Sequence, residues 1–232
     1  LNQTYKNFSF YIIDDGSTDN TLEVCNSYKN LDDRIIVVSI NNVGLTKALI
    51  YGVDLGDGKL IARIDADDTW STSKLDIQVD YFKKYNNLVL CGTFCTDVFV
   101  KEKKSVAIDM PIFKKNILDS IYRFNPFVHS SVVFLRSVYE ACGGYDEVFT
   151  YSQDYDLWAR MIYQGDCINL SDNLVTRIVS PSCISYARQF EQRKFAVKVR
   201  LKIFFRNFSI FNYLAIYQLL KDCIRLFQYY FR

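Results

Sequence analysis

What most limits the fold of this sequence is a rhythm in its first 85 residues. Short apolar runs that end on carboxylates alternate with stretches of helical spacing. The run 10–14 ends in Asp14-Asp15-Gly16, and Thr18 or Asp19 is placed to cap a helix through about residue 28. A second apolar run, 34–40, precedes Leu45, Ala48, Leu49 and Val53, which share one helical face. A third, 59–64, ends at Asp65, and Leu75, Val79 and Phe82 then mark a helix over 73–85. Strand, helix, strand, helix at this spacing predicts βαβ units, hence an α/β fold with a mostly parallel sheet flanked by helices. Later strands are expected at 87–100 and 130–136, and a helix at 154–163. Ligands of such sheets bind beyond the carboxyl ends of the strands, where both acidic clusters fall.

Composition narrows the chemistry. Half of the 232 residues are apolar, so a substantial core can form, and the net charge of +2 excludes a strongly basic nucleic-acid binder. The single histidine, His129, excludes a multi-histidine zinc site and leaves the chemistry to carboxylates. Seven scattered cysteines, of which only Cys91 and Cys95 are close, read as reduced core thiols of a cytoplasmic protein. No uncharged apolar run reaches the ~18 residues of a spanning helix, and the opening residues do not read as a secretory signal.

Asp65-Ala66-Asp67-Asp68 is the sharpest cluster. If the strand persists to its end, Asp65 and Asp67 project to one side, where they repel unless a cation lies between them. Hard oxygen ligands suit Mg2+ or Mn2+ shared with substrate phosphates. The competing reading is a solvated turn in which Asp68 caps the next helix. Asp14-Asp15-Gly16-Ser17-Thr18-Asp19 is explained by a turn and a cap, and its adjacent carboxylates do not match the alternating pair of a haloacid-dehalogenase phosphatase. An EF-hand loop starting at Asp65 fails at Trp70, where the turn glycine belongs. The third cluster is Gly143-Gly144-Tyr145-Asp146, leading into Gln153-Asp154-Tyr155-Asp156-Leu157-Trp158. The glycine pair allows close approach to a ligand. Asp154 falls at a helix start, where the dipole favours its charge while Asp156 and burial oppose it. A simple helix cap competes with a catalytic role there.

These segments, with Gln3-Thr4-Tyr5, Asn42-x-Gly44-Leu45, Ala62-Arg63-Ile64 and His129-Ser130-Ser131, resemble the family 2 glycosyltransferases in order and spacing. The resemblance implies the GT-A, Rossmann-like nucleotide-sugar fold over residues 1–187. It also implies transfer of a sugar, with inversion, from a nucleotide-diphosphate sugar (a UDP-sugar above all) to a hydroxyl of a growing surface glycan or lipid-linked glycan. Asp15 matches the position that meets the nucleotide base, with Asp14 beside it. Asp65 and Asp67 match the D-x-D pair, Asp67 holding Mn2+ or Mg2+ against the diphosphate, and Asp154 matches the general base. Arg63 is expected near the diphosphate, and His129, Gln153 and Trp158 on the acceptor side. Family members open with a strand of the form V-S-V-I-I-P-x-Y-N upstream of the Gln3 segment. The sequence in hand is therefore expected to be N-terminally truncated, which gives a second hypothesis, a non-catalytic nucleotide-sugar-binding or scaffold module. The intact Asp15, Asp65, Asp67 and Asp154 set favours catalysis.

The two ends of the chain differ in charge. Residues 1–187 hold 18 Lys and Arg against 24 Asp and Glu, net −6, whereas 188–232 hold 10 against 2, net +8. Residues 188–232 are expected to form a basic, aromatic helical extension. It suits the surface of an anionic membrane on the cytoplasmic face, and equally suits packing on the acidic body. Lys221, Asp222 and Arg225 interrupt its second apolar segment, 211–231, against a spanning role. Donor and acceptor identity reside in loops 97–128 and 165–187, whose chemistry the sequence does not disclose.

Overall fold

The computed structural model describes residues 1–180, 188–206, 216–218, 220–222 and 224. The expected alternation is present at its start. Strands β1 (Phe10–Asp14) and β2 (Ile35–Ser39) pair in parallel, Phe10 opposite Ile35 and Asp14 opposite Ser39. Helix α1 (Thr21–Lys29) makes the crossover, and the Asp19 carboxylate accepts the Thr21 N–H at 3.0 Å. Helix α2 (Leu45–Leu55) starts at Gly44, whose φ of 87° lies where a side chain would be strained. That backbone turns the Val43 and Gly44 N–H groups toward Asp15, whose carboxylate accepts both, at 2.7 and 2.9 Å. An anion at a helix N-terminus is where the helix dipole favours it. α1 buries none of its residues.

The larger sheet departs from the expected parallel arrangement. Strands β3 (Leu60–Ala62), β4 (Thr69–Trp70), β5 (Leu88–Phe99), β6 (Lys104–Ile108), β7 (Val133–Leu135) and β8 (Asp166–Val179) form one mixed sheet in the order β3-β7-β5-β8-β4, with β6 on β5. Only β5 and β8 run parallel; the β3–β7, β5–β7, β4–β8 and β5–β6 pairs are antiparallel. The physical reason is the connections. Helical crossovers stop after α3 (Lys74–Lys84), and β5 returns through a short turn as β6, which forces an antiparallel neighbour. The chain from β6 to β7 carries helix α4 (Lys114–Ser120) and a 3-10 turn, His129–Ser131.

Helices α5 (Arg136–Ala141), α6 (Gln153–Met161) and α7 (Gln189–Arg206) complete the described fold. Leu157, Trp158, Met161 and Ile162 carry α6 into the main core with Leu90 and Phe134, as period-3.6 spacing dictates. Val199 and Ile203 of α7 join the same core, and Lys202 reaches Asp146 at 3.1 Å and buried Asp156 at 2.8 Å. The first half of the basic extension is thus packed on the acidic body, its charge set against carboxylates. Most of the second apolar segment, 211–231, lies outside the described residues. No helix among the described residues is long and apolar enough to cross a membrane. Of the cysteines described, Cys25, Cys91, Cys95, Cys142 and Cys167 are free thiols, and burial pushes Cys91 up to about 12.

Candidate active site

Antiparallel pairing builds the centre of the site. Ala62 lies opposite Val133, so the residues leaving β3 run beside those entering β7. Arg63, Asp65 and the His129–Ser131 turn are thereby brought together. Ser130 Oγ donates to Asp65 Oδ2 at 3.0 Å and accepts the Asp65 N–H at 3.1 Å. The Arg63 guanidinium grips both oxygens of Asp65, and Ser130 Oγ also lies 3.4 Å from Arg63 Nη1. Arg63 is buried, and its Nε has no partner among the described residues.

Asp65 and Asp67 do share a cavity, but not by strand alternation. β3 ends at Ala62, and the Asp68 N–H donates to the Asp65 carbonyl at 3.2 Å, so the acidic segment is a turn. The turn presents Asp65, Asp67 and Asp68 to one cavity of about 1110 Å3. Asp68 does not cap α3: it is buried, and its Oδ1 accepts the Ile178 N–H of β8 at 3.3 Å. Burial raises its pKa, and the charges of Asp65 and Asp67 raise it further. Carboxylates that repel in this way fit a divalent cation. No group of three His, Cys, Asp or Glu side chains among the described residues is spaced to hold an ion alone. A Mg2+ or Mn2+ ion at Asp65 and Asp67 would take its remaining ligands from water and substrate phosphate, the usual composition for such ions.

Helix α6 lines the same cavity. Ser152 precedes it with a φ of 55°, and Gln153 and Asp154 open it toward the cavity. Asn125 Nδ2 donates to Asp154 Oδ2 at 2.6 Å, fixing the carboxylate. Burial holds the Asp154 pKa above the usual carboxylate range, against hydrogen bonds from Tyr155 and Asn125 that lower it. Asp156 plays no part in that shift. It is buried on the far side of α6, paired with Arg160 at 2.7 Å and with Lys202. The acidic neighbour that does act is Asp65, across the cavity.

His129 lines the cavity and is held neutral: burial, then the nearby Arg63 charge, puts its pKa well below the ordinary value. Its Nε2 lies 2.9 Å from the Tyr145 hydroxyl. Trp158, expected on the acceptor side, is wholly buried and does not line the cavity. It packs edge-on against His129, Phe127 and Phe134, so it supports His129 and touches no ligand. The glycine pair is likewise structural. Gly144, at φ 66°, folds against Tyr139, whose ring a Cβ would meet at 2.9 Å. Asp14 and Asp15 stand apart from the large cavity. Asp14 accepts from Ser39 Oγ at 2.7 Å and from the Ser17 N–H at 3.1 Å, bonds that hold its pKa low, whereas Asp15 anchors the Val43-Gly44 segment that lines the cavity. Ser130 and Asn125 were not legible as site residues. A serine beside a histidine and an asparagine in a loop carry no spacing signal, and only the strand pairing shows their targets.

Residues 1–143 match the profile described as Glycosyl transferase family 2. The chain belongs to that family. Among curated relatives, the amylovoran biosynthesis glycosyltransferase AmsE of Erwinia amylovora is 28% identical over 204 residues, 87% of this chain and 76% of AmsE. The O-antigen biosynthesis glycosyltransferase WbnJ of Escherichia coli is 31% identical over 179 residues, 75% of this chain and 67% of WbnJ. An uncharacterized glycosyltransferase of Haemophilus influenzae matches 86% of this chain at 28% identity, and the chain spans 65% of its length. In fold, the chain superposes on S. aureus TarS in complex with UDP-GlcNAc with a TM-score of 0.66, at 15% identity, over 85% of this chain and 59% of that one. The mannosyltransferase PcManGT of Pyrobaculum calidifontis, in complex with GDP-Man and Mn2+, gives 0.63 at 16% identity, over 87% of this chain and 56% of that one. The family 2 fold thus places the acidic turn and Asp154 in one cavity.

Proposed function

We propose that this family 2 chain is an inverting glycosyltransferase that moves a sugar from a UDP-sugar to a hydroxyl of a growing surface glycan. One observation carries the reading. A single cavity is lined by Asp65, Asp67 and Asp68 and by Asp154, whose pKa burial raises. Asp65 and Asp67 would hold a divalent cation against the donor diphosphate, and Asp15, at the neighbouring strand end, is assigned to the nucleotide base on the family resemblance. A bound cation supplies Lewis-acid stabilisation of the charge that gathers on the diphosphate as it leaves.

The chain's own residues do the rest. Asp154 takes the proton from the acceptor hydroxyl. The oxygen lone pair forms the new bond to the anomeric carbon, and the bond from that carbon to the diphosphate oxygen breaks with its electrons on the nucleotide. Asn125 keeps the receiving carboxylate in place. Neutral His129 offers the acceptor an uncharged polar edge. Ser130 and Arg63 position Asp65, and Arg63 would stand beside a diphosphate brought to that carboxylate. The roles of AmsE and WbnJ in amylovoran and O-antigen biosynthesis support a surface glycan as product, and TarS with UDP-GlcNAc supports the donor class.

Hydrolysis of a panel of UDP-, GDP-, TDP- and CMP-sugars with Mn2+ tests the proposal. A UDP-sugar is expected to be turned over preferentially and only with the cation. Turnover of none of them would favour the binding-module reading.

A further inference from the structure

The acceptor end of the cavity carries a second pattern. Helix α7 turns Gln189, Gln192, Arg193, Ala196 and Arg200 toward it, at spacings of three and four residues, which is one face of a helix. A helix face laid on its own protein is ordinarily apolar. This one bears amides and guanidinium groups, so what it faces is polar. Val199 and Ile203, which flank this face, carry the helix into the main core.

The ion pairs of the cavity separate its cations into two sets. Arg63 is held by Asp65, Arg177 by Asp97 at 2.7 Å, Lys47 by Glu147 at 3.6 Å, and Arg200 by Asp222 at 2.7 Å. Arg188 and Arg193 also line the cavity, yet neither side chain has an ion pair or hydrogen bond among the described residues. Beside them Gln153 is only 5% exposed and lines the cavity, and its amide has no hydrogen-bond partner there. That amide opens onto the cavity, where a ligand can supply its partner. Ser152 Oγ donates to the Gln192 carbonyl at 3.2 Å, which fixes this face of α7 next to Gln153 and the Asp154 carboxylate.

We propose that Arg188, Gln189, Gln192 and Arg193, with Gln153, form an acceptor subsite that reads an oxyanion, so that the acceptor carries a phosphate or carboxylate close to the hydroxyl it presents to Asp154. The guanidinium fork matches either group in two parallel hydrogen bonds, and the glutamine amides satisfy the neighbouring sugar oxygens. The acidic turn and the arginine pair then select opposite ends of the reacting pair. Diphosphate reaches Asp65 and Asp67 only with a cation, whereas the acceptor anion is met directly by arginine.

This inference rests on the transferase reading, and its test separates the two. With UDP and Mn2+ in excess to fill the donor side, binding of glucose 1-phosphate, methyl glucuronide, farnesyl diphosphoglucose and neutral methyl glucoside is compared by saturation-transfer NMR. At least one anionic probe should bind about ten-fold or more tightly than the glucoside, as expected for a charge-assisted hydrogen-bond pair. The preferred probe distinguishes a phosphate, a carboxylate and a lipid-borne diphosphate. The double variant R188Q/R193Q should bring that probe to the level of the glucoside and leave UDP affinity unchanged, with R188K/R193K restoring part of the preference. Equal binding of neutral and anionic probes, or an anion preference that survives R188Q/R193Q, would overturn the subsite. Failure of UDP to bind would instead remove the donor reading, and the probe comparison made without nucleotide still decides the subsite.

Discussion

Asp154→Asn is expected to lower sugar transfer about a thousand-fold while donor affinity stays within roughly two-fold, because general-base removal costs about 10²–10⁴ and the proposed donor contacts are those of Asp65 and Asp67. The amide is isosteric and still accepts the Asn125 hydrogen bond through its oxygen, so folding is preserved. The wild-type pH profile supplies a second readout. Only the ionised carboxylate takes a proton, and burial raises the Asp154 pKa, so the rate falls as pH drops through a value above the ordinary aspartate range. Asp154→Asn should lose that acid limb. Calorimetry with UDP and a transfer assay on the same variant check both halves. Transfer retained in Asp154→Asn removes it as the base.

The second large effect belongs to the acidic turn. Asp67→Asn should weaken UDP binding about 100-fold in the presence of Mn2+ and leave the weak binding without the ion unchanged, the scale on which metal-site substitutions act. Asp67 is the cleaner variant, being exposed at the cavity edge. Asp65→Asn has a further consequence, since it strips the partner from buried Arg63 and leaves an uncompensated guanidinium, which is strongly destabilising. Mn2+ electron paramagnetic resonance with UDP reads the result directly. An undiminished bound-ion signal in Asp67→Asn would remove Asp67 as a ligand.

The sequence disclosed most where local pattern and chemistry coincide. The alternation through residue 85 yields β1, α1, β2, α2, β3 and α3 within a few residues, because each has its own period and turn chemistry. Asp65, Asp67 and Asp154 were visible as carboxylates at element ends, and they do line one cavity. The reason given for Asp65 and Asp67 did not hold, since a turn begins where strand alternation was assumed. Sheet direction was missed because antiparallel returns depend on which strand docks on β5, a long-range choice without local signature. The family resemblance puts Trp158 at the acceptor, whereas its helical spacing with Leu157 and Met161 marks the core face on which it lies. Asp156 was set against Asp154, yet successive positions two apart on a helix face different ways, and its partners came from α7. Ser130 lies in a segment that carries the family resemblance, but its role and that of Asn125 come from tertiary contact with Asp65 and Asp154, which spacing does not show.

Of the other carboxylates lining the cavity, Asp97 pairs with Arg177 and Glu147 with Lys47, which leaves Asp154 as base and a single displacement as the proposed reaction. The anomeric configuration of the transferred sugar, read by proton NMR in the first turnovers from an α-linked UDP-sugar, tests this most directly. A β-linked product is predicted. An α-linked product would require two displacements and would contradict the assignment of Asp154 as the base of a single displacement.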